Sequence, residues 1–245
     1  MGKLVDSNSQ QGVTRVPALR APLTNRLLDA LPKDEYRRLL PNLEPFVLVF
    51  GEVIYESGGL IRHVYFPTSG IISLLAAVGE RATLEVGIVG WEGMIGLPAF
   101  MGVKTSRNRA VVQGAGAALR MKATDFRKEC ENGGSLPRLL RRYTHSRLTQ
   151  IVQGATCNRF HPIDARLARW LLMTHDRMET DEFQLTQEFL SNMLGVRREG
   201  VNKAASALQK QHLISYSRGT LTTLNRAGLE AVACECYAII KEESQ

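Results

Sequence analysis

Hydrophobic positions along this chain change period twice, dividing it into a short helical opening, a strand-rich middle and a helical remainder. Residues 1–22 are polar and turn-rich, with DSNSQQG and two prolines, and are expected to form a mobile tail. Leu27, Leu28 and Leu31 then fall at helical spacing behind Thr24 or Asn25 as a cap, and a second short helix over 33–40 stops at Pro41. From about Phe46 to Met121 the pattern becomes short runs of Val, Ile, Leu and aromatic residues punctuated by glycine: VLVFG, EVIYESGG, HVYFPTSG, IISLLAAVG, ATLEVGIVG and AVVQGAGAALRM. Short strands at this spacing, with no helical pattern between them, predict an antiparallel jelly roll or barrel.

Helical spacing returns over 124–132, is interrupted at Gly133-Gly134, and resumes from Leu136 to about Phe160. Along this longer helix Leu140, Tyr143 or Thr144, Leu148, Ile151 and Ala155 share one stripe. Such a stripe fits a short coiled-coil seam and a core helix equally well. Arg138, Arg141, Arg142 and Arg147 decorate the same helix and read as a solvated face. His161-Pro162 ends it. Asp164 opens the next helix, whose Ile163, Leu167, Trp170, Leu171 and Thr174 line one face. Met178 to Asp181 reads as a polar turn.

The stretch from Leu185 to Leu224 carries the strongest pattern. Phe189, Leu190, Met193 and Leu194 repeat at helical spacing behind Thr186, a good N-cap, and Gly195 breaks the helix. A second helix buries Val201, Ala205 and Leu208, which leaves Arg198, Glu199, Asn202, Lys203 and Ser206 together on its outer face. A charged outer face is often merely solvated, but these are also the side-chain types that read base edges in a major groove. Leu213, Ile214 and Tyr216, a turn at Arg218-Gly219, and Thr220 to Leu224 then predict a hairpin whose tip offers Arg218 to phosphate. Asn225 caps a last helix holding Leu229, Val232, Cys234 and Cys236, and the tail from Lys241 is charged.

Composition narrows the classes. With 245 residues, 44% hydrophobic and 22% charged, the chain has room for two domains and the make-up of an ordinary globular protein. A net charge of +7 favours a polyanionic partner. No apolar run approaches bilayer length and the N-terminus lacks a signal-peptide core, so a cytoplasmic location without a membrane role is expected. The four cysteines (Cys130, Cys157, Cys234, Cys236) follow no ligand spacing. Two residues apart on one helix, Cys234 and Cys236 would point to different sides. No metal site is assigned to them or to the five histidines.

Helix, glycine turn, second helix and hairpin together resemble the winged helix-turn-helix of the Crp/Fnr family of bacterial transcription regulators. Arg198-Glu199 followed by Lys203 fills that family's Arg-Glu pair and the basic residue four places on, with Lys in place of the usual Arg. Lys cannot make the bidentate fork to guanine. Arg197 stands where the family caps its recognition helix with Ser. The strand-rich half is similar to the family's cyclic-nucleotide-binding β-roll. The resemblance implies an α+β fold: an N-terminal antiparallel β-roll of jelly-roll type, a long dimerisation helix and a C-terminal winged helix-turn-helix. The corresponding divisions are a flexible tail over 1–24, a sensor over 25–134, the dimerisation helix over 135–160 and the DNA-binding domain over 161–245.

What the resemblance implies for function is a homodimer that reads a palindromic site on double-stranded DNA, works with RNA polymerase and is controlled allosterically through its sensor domain. It implies no enzyme activity. DNA contacts fall to Thr186, Gln187, Arg197, Arg198, Glu199, Asn202, Lys203 and Arg218, and dimerisation to Leu140, Leu148 and Ile151. Residues 1–60 hold no cysteine for the N-terminal iron–sulfur cluster of oxygen-sensing relatives. The cyclic-AMP signature is also unmatched: with Ala110 on the family's Ala, Asn108 stands at the phosphate-binding Arg and Arg109 at the hydroxyl position. Glu92 lies several places early for the ribose-binding Glu. No cofactor is assigned; Glu92, Arg107 and Arg109 remain as a candidate pocket for another anionic effector. Two other readings are a cyclic-nucleotide-binding module acting on a protein partner and a cupin-type metalloenzyme. The chain shows no attached channel, kinase or catalytic domain for the first, and the strand-rich half offers the second His63 alone.

Overall fold

The computed structural model describes residues 24–78, 82–178 and 180–244; the expected tail over 1–24 lies outside them except for Thr24. Two small helices, α1 (Arg26–Asp29) and α2 (Lys33–Leu39), open the described chain. The Asn25 carboxamide oxygen caps α1, accepting from the amides of Leu27 and Leu28 at 3.1 and 3.4 Å. Seven strands follow: β1 (Glu44–Leu48), β2 (Val53–Tyr55), β3 (His63–Pro67), β4 (Ile71–Val78), β5 (Ala82–Val89), β6 (Arg109–Gly114) and β7 (Gly116–Lys122). They form two antiparallel sheets, ordered β1-β7-β3 and β2-β6-β4-β5. This is the jelly-roll half that the glycine-punctuated runs predict.

Strand alternation explains how the roll is covered. Tyr65, Leu48 and Ala118 from one sheet meet Ile72, Val89 and Val112 from the other in the core between them. Neighbouring positions turn outward. Val64, Phe66 and Met121 pack under α1, α2 and the next two helices, α3 (Ala123–Glu131) and α4 (Ser135–Phe160). Ile71, Leu75 and Ile88 face the C-terminal half. Where both faces are covered, as along β3, the strand reads as a near-continuous apolar run, whereas β1 at the sheet edge is largely exposed.

The C-terminal half runs α5 (Ile163–Met178), β8 (Glu182–Gln184), α6 (Gln187–Leu194), α7 (Arg198–Lys210), β9 (Ile214–Ser217), β10 (Thr220–Thr223), α8 (Arg226–Val232) and α9 (Cys236–Glu243). Leu167, Trp170 and Leu171 of α5 form one core with Leu190, Met193, Val201, Ala205, Leu208, Leu221 and the outward residues of β4 and β5. The face read from α5 therefore packs against the helix-turn-helix as expected. Three details differ from expectation. The hairpin is a three-stranded sheet ordered β8-β10-β9, because Phe183 pairs opposite Leu221. The last helix is two helices, with Ala233 extended at φ −62°, ψ 146° between them. Arg147 is not solvated: it is buried and donates to the Ile88 carbonyl at 2.8 Å and to Gln150.

Helix α4 also corrects the proposed seam. Leu136, Leu140, Tyr143, Arg147, Gln150 and Cys157 form its buried stripe, and Leu140 lies wholly inside the core between α4 and the β-roll. Leu148, Val152 and Ala155 lie on a neighbouring stripe and are exposed; Ile151, also exposed, stands between the two stripes at the rim of the roll cavity. Leu140 therefore cannot serve an interface between chains, whereas Leu148 and Ile151 remain open to one.

Candidate nucleic-acid interface

Local chemistry sets the helix-turn-helix. The Thr186 hydroxyl accepts from the Phe189 amide at 3.1 Å and caps α6. Gly195 ends that helix in the left-handed region (φ 62°, ψ 38°), where a side chain would be strained. Arg197 starts α7 in extended conformation without a side-chain cap, as its identity leads one to expect. Val201, Ala204, Ala205 and Leu208 then fasten α7 against α5 and α6. Arg198, Glu199, Asn202, Lys203 and Ser206 are consequently displayed together on its open side, with Arg197 exposed at its N-terminus.

Beside this face stands the wing. Arg218 (φ 51°) and Gly219 (φ 82°) make the tight turn between β9 and β10, the paired left-handed conformation that a two-residue hairpin favours. Tyr216 braces the wing on the helix pair by donating from its hydroxyl to the Leu185 carbonyl at 2.8 Å. Thr186, Gln187, Arg198, Arg218 and Gly219 line one cleft between α6, α7 and the wing. Thr186, Gln187, Arg198 and Arg218 of the predicted contact residues thus share this cleft, with Glu199, Asn202 and Lys203 on the adjoining face of α7 and Arg197 at its N-terminus. That surface joins the N-terminal ends of α6 and α7 to a cationic tip, a suitable shape for a phosphate backbone flanking a groove.

Sequence reasoning missed two partners there. Glu188 holds Arg198 in an exposed ion pair at 2.6 Å, and Gln187 donates to the Asn202 side-chain oxygen at 2.5 Å. To fork onto guanine, Arg198 has to leave Glu188, a modest loss for an exposed pair. The pairing crosses from one helix to the next and leaves no periodic trace in the sequence.

The candidate effector residues are not brought together. Glu92 is buried in an ion pair with Arg177 of α5 at 2.8 Å, Arg109 pairs with Glu56 at 3.0 Å, and Arg107 is exposed. The cavity in the roll is instead lined by Tyr55, Met94, Ser106, Asn108, Tyr143 and Arg147, so its cation comes from α4. The two halves also meet at Glu85 on β5. Its carboxylate accepts from the Ser73 hydroxyl at 2.7 Å and from the Trp170 indole at 2.9 Å, and burial pushes its pKa up to about 7.

The cysteines require a correction. Cys234 and Cys236 do not share a helix; the break at Ala233 turns both toward the end of α4, where they join Cys157 and His161. The hydrogen bond with Cys234 holds the Cys157 thiol below its ordinary range. Cys157 and His161, four residues apart at a helix end, share a face, which was the visible half of this cluster.

A β-roll covered by helices and joined through a long helix to a winged helix-turn-helix defines a class of two-part chain. Residues 165–232 match the model of the Crp-like helix-turn-helix domain. The fold is shared with FixK2 from Bradyrhizobium japonicum, at 17% identity and TM-score 0.66 over 78% of this chain and 98% of that one. It is shared with TTHB099, a transcriptional regulator of the CRP family from Thermus thermophilus, at 18% identity and TM-score 0.65 over 78% and 96%. The c-di-GMP-responsive global regulator CLP of Xanthomonas campestris matches at 16% and TM-score 0.64, over 78% and 99%. Among curated proteins no match to the chain is found. The chain therefore shares its fold with FixK2 and TTHB099 and carries a Crp-like helix-turn-helix domain over residues 165–232. Among the described residues no helix is long and apolar enough to cross a membrane.

Proposed function

We propose that this chain is a dimeric, sequence-specific DNA-binding regulator, acting in the cytoplasm on a near-palindromic site under control of its N-terminal half. The observation that carries the reading is the outer face of α7: five exposed polar residues, Arg198, Glu199, Asn202, Lys203 and Ser206, set beside the Arg218 tip of the wing, with Arg197 exposed at the helix's start. One such helix covers only a few base pairs, so two copies with half-sites about 34 Å apart supply the length a specific site needs. The exposed apolar stripe of α4 at Leu148, Ile151 and Val152 supports pairing through that helix. Thr186, Gln187 and Arg218 hold phosphate, while Arg198 and Glu199 read a guanine and a cytosine. RNA polymerase is the expected protein partner. A module acting only on another protein would have no use for this face.

The test is selection of bound sequences from random DNA by the wild type and by Arg198→Ala. The variant is expected to lose about 1–3 kcal/mol on the wild-type site and to relax preference at one position of each half-site. Recovery of the same motif at undiminished strength would remove Arg198 from base reading.

A further inference from the structure

We propose that Cys157, His161, Cys234 and Cys236 bind a single zinc ion that clamps the end of α4 to the joint between α8 and α9. The four ligand atoms all lie within 4.8 Å of one another. Around a tetrahedral zinc, sulfurs bound at about 2.3 Å stand about 3.8 Å apart, and a sulfur and an imidazole nitrogen about 3.5 Å. The chain holds Cys157 Sγ and Cys234 Sγ at 3.5 Å, and Cys236 Sγ and His161 Nδ1 at 3.4 Å. Small movements of the side chains therefore suffice. Such a compact set suits one ion; a cluster with bridging sulfides spreads its ligands wider. Three thiolates and an imidazole are also the donors that a structural zinc takes.

The surroundings point to a metal independently of the four ligands. His161 presents Nδ1 to the sulfurs while its Nε2 lies 3.2 Å from a Glu235 carboxylate oxygen. That second partner fixes the tautomer and orients the ring, as it does for most metal-bound histidines. The Gln153 amide donates to Cys236 Sγ at 3.1 Å, a contact that stabilises a thiolate. Charge supplies the third observation. Arg166 and Arg169 are both buried, and each has an Nε with no hydrogen-bond partner among the described residues. Their other contacts are neutral: the Leu194 carbonyl for Arg166 and the Met173 thioether for Arg169. Two buried guanidinium groups without a bonded carboxylate are costly unless an anion lies near. Zinc with three thiolates and a neutral imidazole carries a net charge of −1. The site lies against α5, where Ala165 packs with Cys157, Cys234 and Cys236; Arg166 is the next residue and Arg169 lies one turn further along the face of Ala165.

Full-length protein, produced with zinc in the medium and purified under reducing conditions, is expected to carry about one zinc per chain. After replacement by Co²⁺ it should show the thiolate-to-cobalt charge-transfer band and the intense visible bands of a tetrahedral site. Cys130→Ser, remote from the cluster, should leave both unchanged. Cys236→Ser and His161→Ala should weaken zinc in chelator competition at least tenfold, and Glu235→Ala about tenfold through loss of the orienting carboxylate. Less than a tenth of an equivalent of zinc, together with a wild-type cobalt spectrum lacking the charge-transfer band, would overturn the proposal. So would equal loss of metal in Cys130→Ser. The wild-type cobalt spectrum decides the question even where a ligand variant fails to fold.

Discussion

Helices α4 and α7 are built by the same rule and display opposite surfaces. Each buries one stripe in the chain's own core, Leu136, Leu140 and Tyr143 in the first and Val201, Ala205 and Leu208 in the second. On the open side α4 presents Leu148, Ile151, Val152 and Ala155, while α7 presents Arg198, Glu199, Asn202, Lys203 and Ser206. An exposed apolar stripe on a long helix suits a second protein surface, since nothing else in water compensates it. An exposed set of donors and charges suits a hydrated polyanion. Periodicity alone therefore says which side of a helix is inside; the chemistry of the other side says what it meets.

The comparison breaks most sharply at Ile151. Ile151→Asp places a carboxylate in the apolar stripe, and an uncompensated buried charge costs at least about 3 kcal/mol per interface. A hundredfold or greater rise in the dimer dissociation constant is expected by sedimentation, with the melting temperature of the single chain little changed, because Ile151 is 42% exposed. An unaltered dimer would place the interface elsewhere. Leu140→Ala is the converse: Leu140 is fully buried in the core beside the β-roll, so the substitution should cost about 2–5 kcal/mol of folding stability, read by denaturant titration. Were Leu140→Ala instead to split the dimer while leaving the chain's stability intact, the division between the two stripes would be wrong.

Those two stripes show where legibility in the sequence stops. Leu140, Tyr143 or Thr144, Leu148 and Ile151 satisfy one spacing rule, yet Leu140 and Tyr143 are buried against the β-roll, Leu148 faces outward, and Ile151 is exposed at the rim of the roll cavity. Spacings of three and four drift around a helix, and only the partner surface settles which drift is used. The helix-turn-helix was legible nearly to the residue because its determinants are local: the Thr186 cap, the Gly195 break, and the apolar positions of α7. Strand β8 was not, because its pairing with β10 joins residues about forty apart and Glu182-Phe183-Gln184 carries no run of its own. Nor were the Glu92–Arg177 pair and the cysteine group, which exist only once α5 or α9 has docked. Long-range charge pairs leave no period to detect.

What holds α7's domain against the roll is separable from what either helix displays, and Glu85 tests it. This carboxyl faces Ser73 from β4, Trp170 from α5, and the charges of Arg169 and Arg177 at longer range. Burial lifts its pKa from 4.5 to about 7 against the lowering influence of all four. A folded value above the ordinary one means that the native chain holds the proton more tightly than the unfolded chain. The stabilising contribution is complete below about pH 4.5 and is lost as pH rises through about 7. Its full size is on the order of 3 kcal/mol. Melting curves between pH 5 and 8 should show the wild type falling relative to Glu85→Gln, whose amide cannot ionise. Parallel curves for the two proteins would remove Glu85 as the source.

The smallest effect belongs to the wing, and it sharpens what "reads DNA" means for α7. Arg218 is exposed at a two-residue turn held by backbone geometry, so its removal leaves β9, β10 and the Tyr216 brace in place. It belongs to the hairpin tip rather than to α7, and a wing beside a helix-turn-helix is placed to meet the phosphate backbone. A phosphate contact releases counterions and carries no sequence information. Arg218→Ala should therefore weaken specific and scrambled DNA by the same few-fold factor and lower the slope of log K against log salt by about one unit. Arg198→Ala, in contrast, should spare scrambled DNA more than the specific site. If Arg218→Ala lost affinity for the specific site alone, the wing would be reading bases, and the division between a sequence-reading helix and a phosphate-holding wing would have to be redrawn.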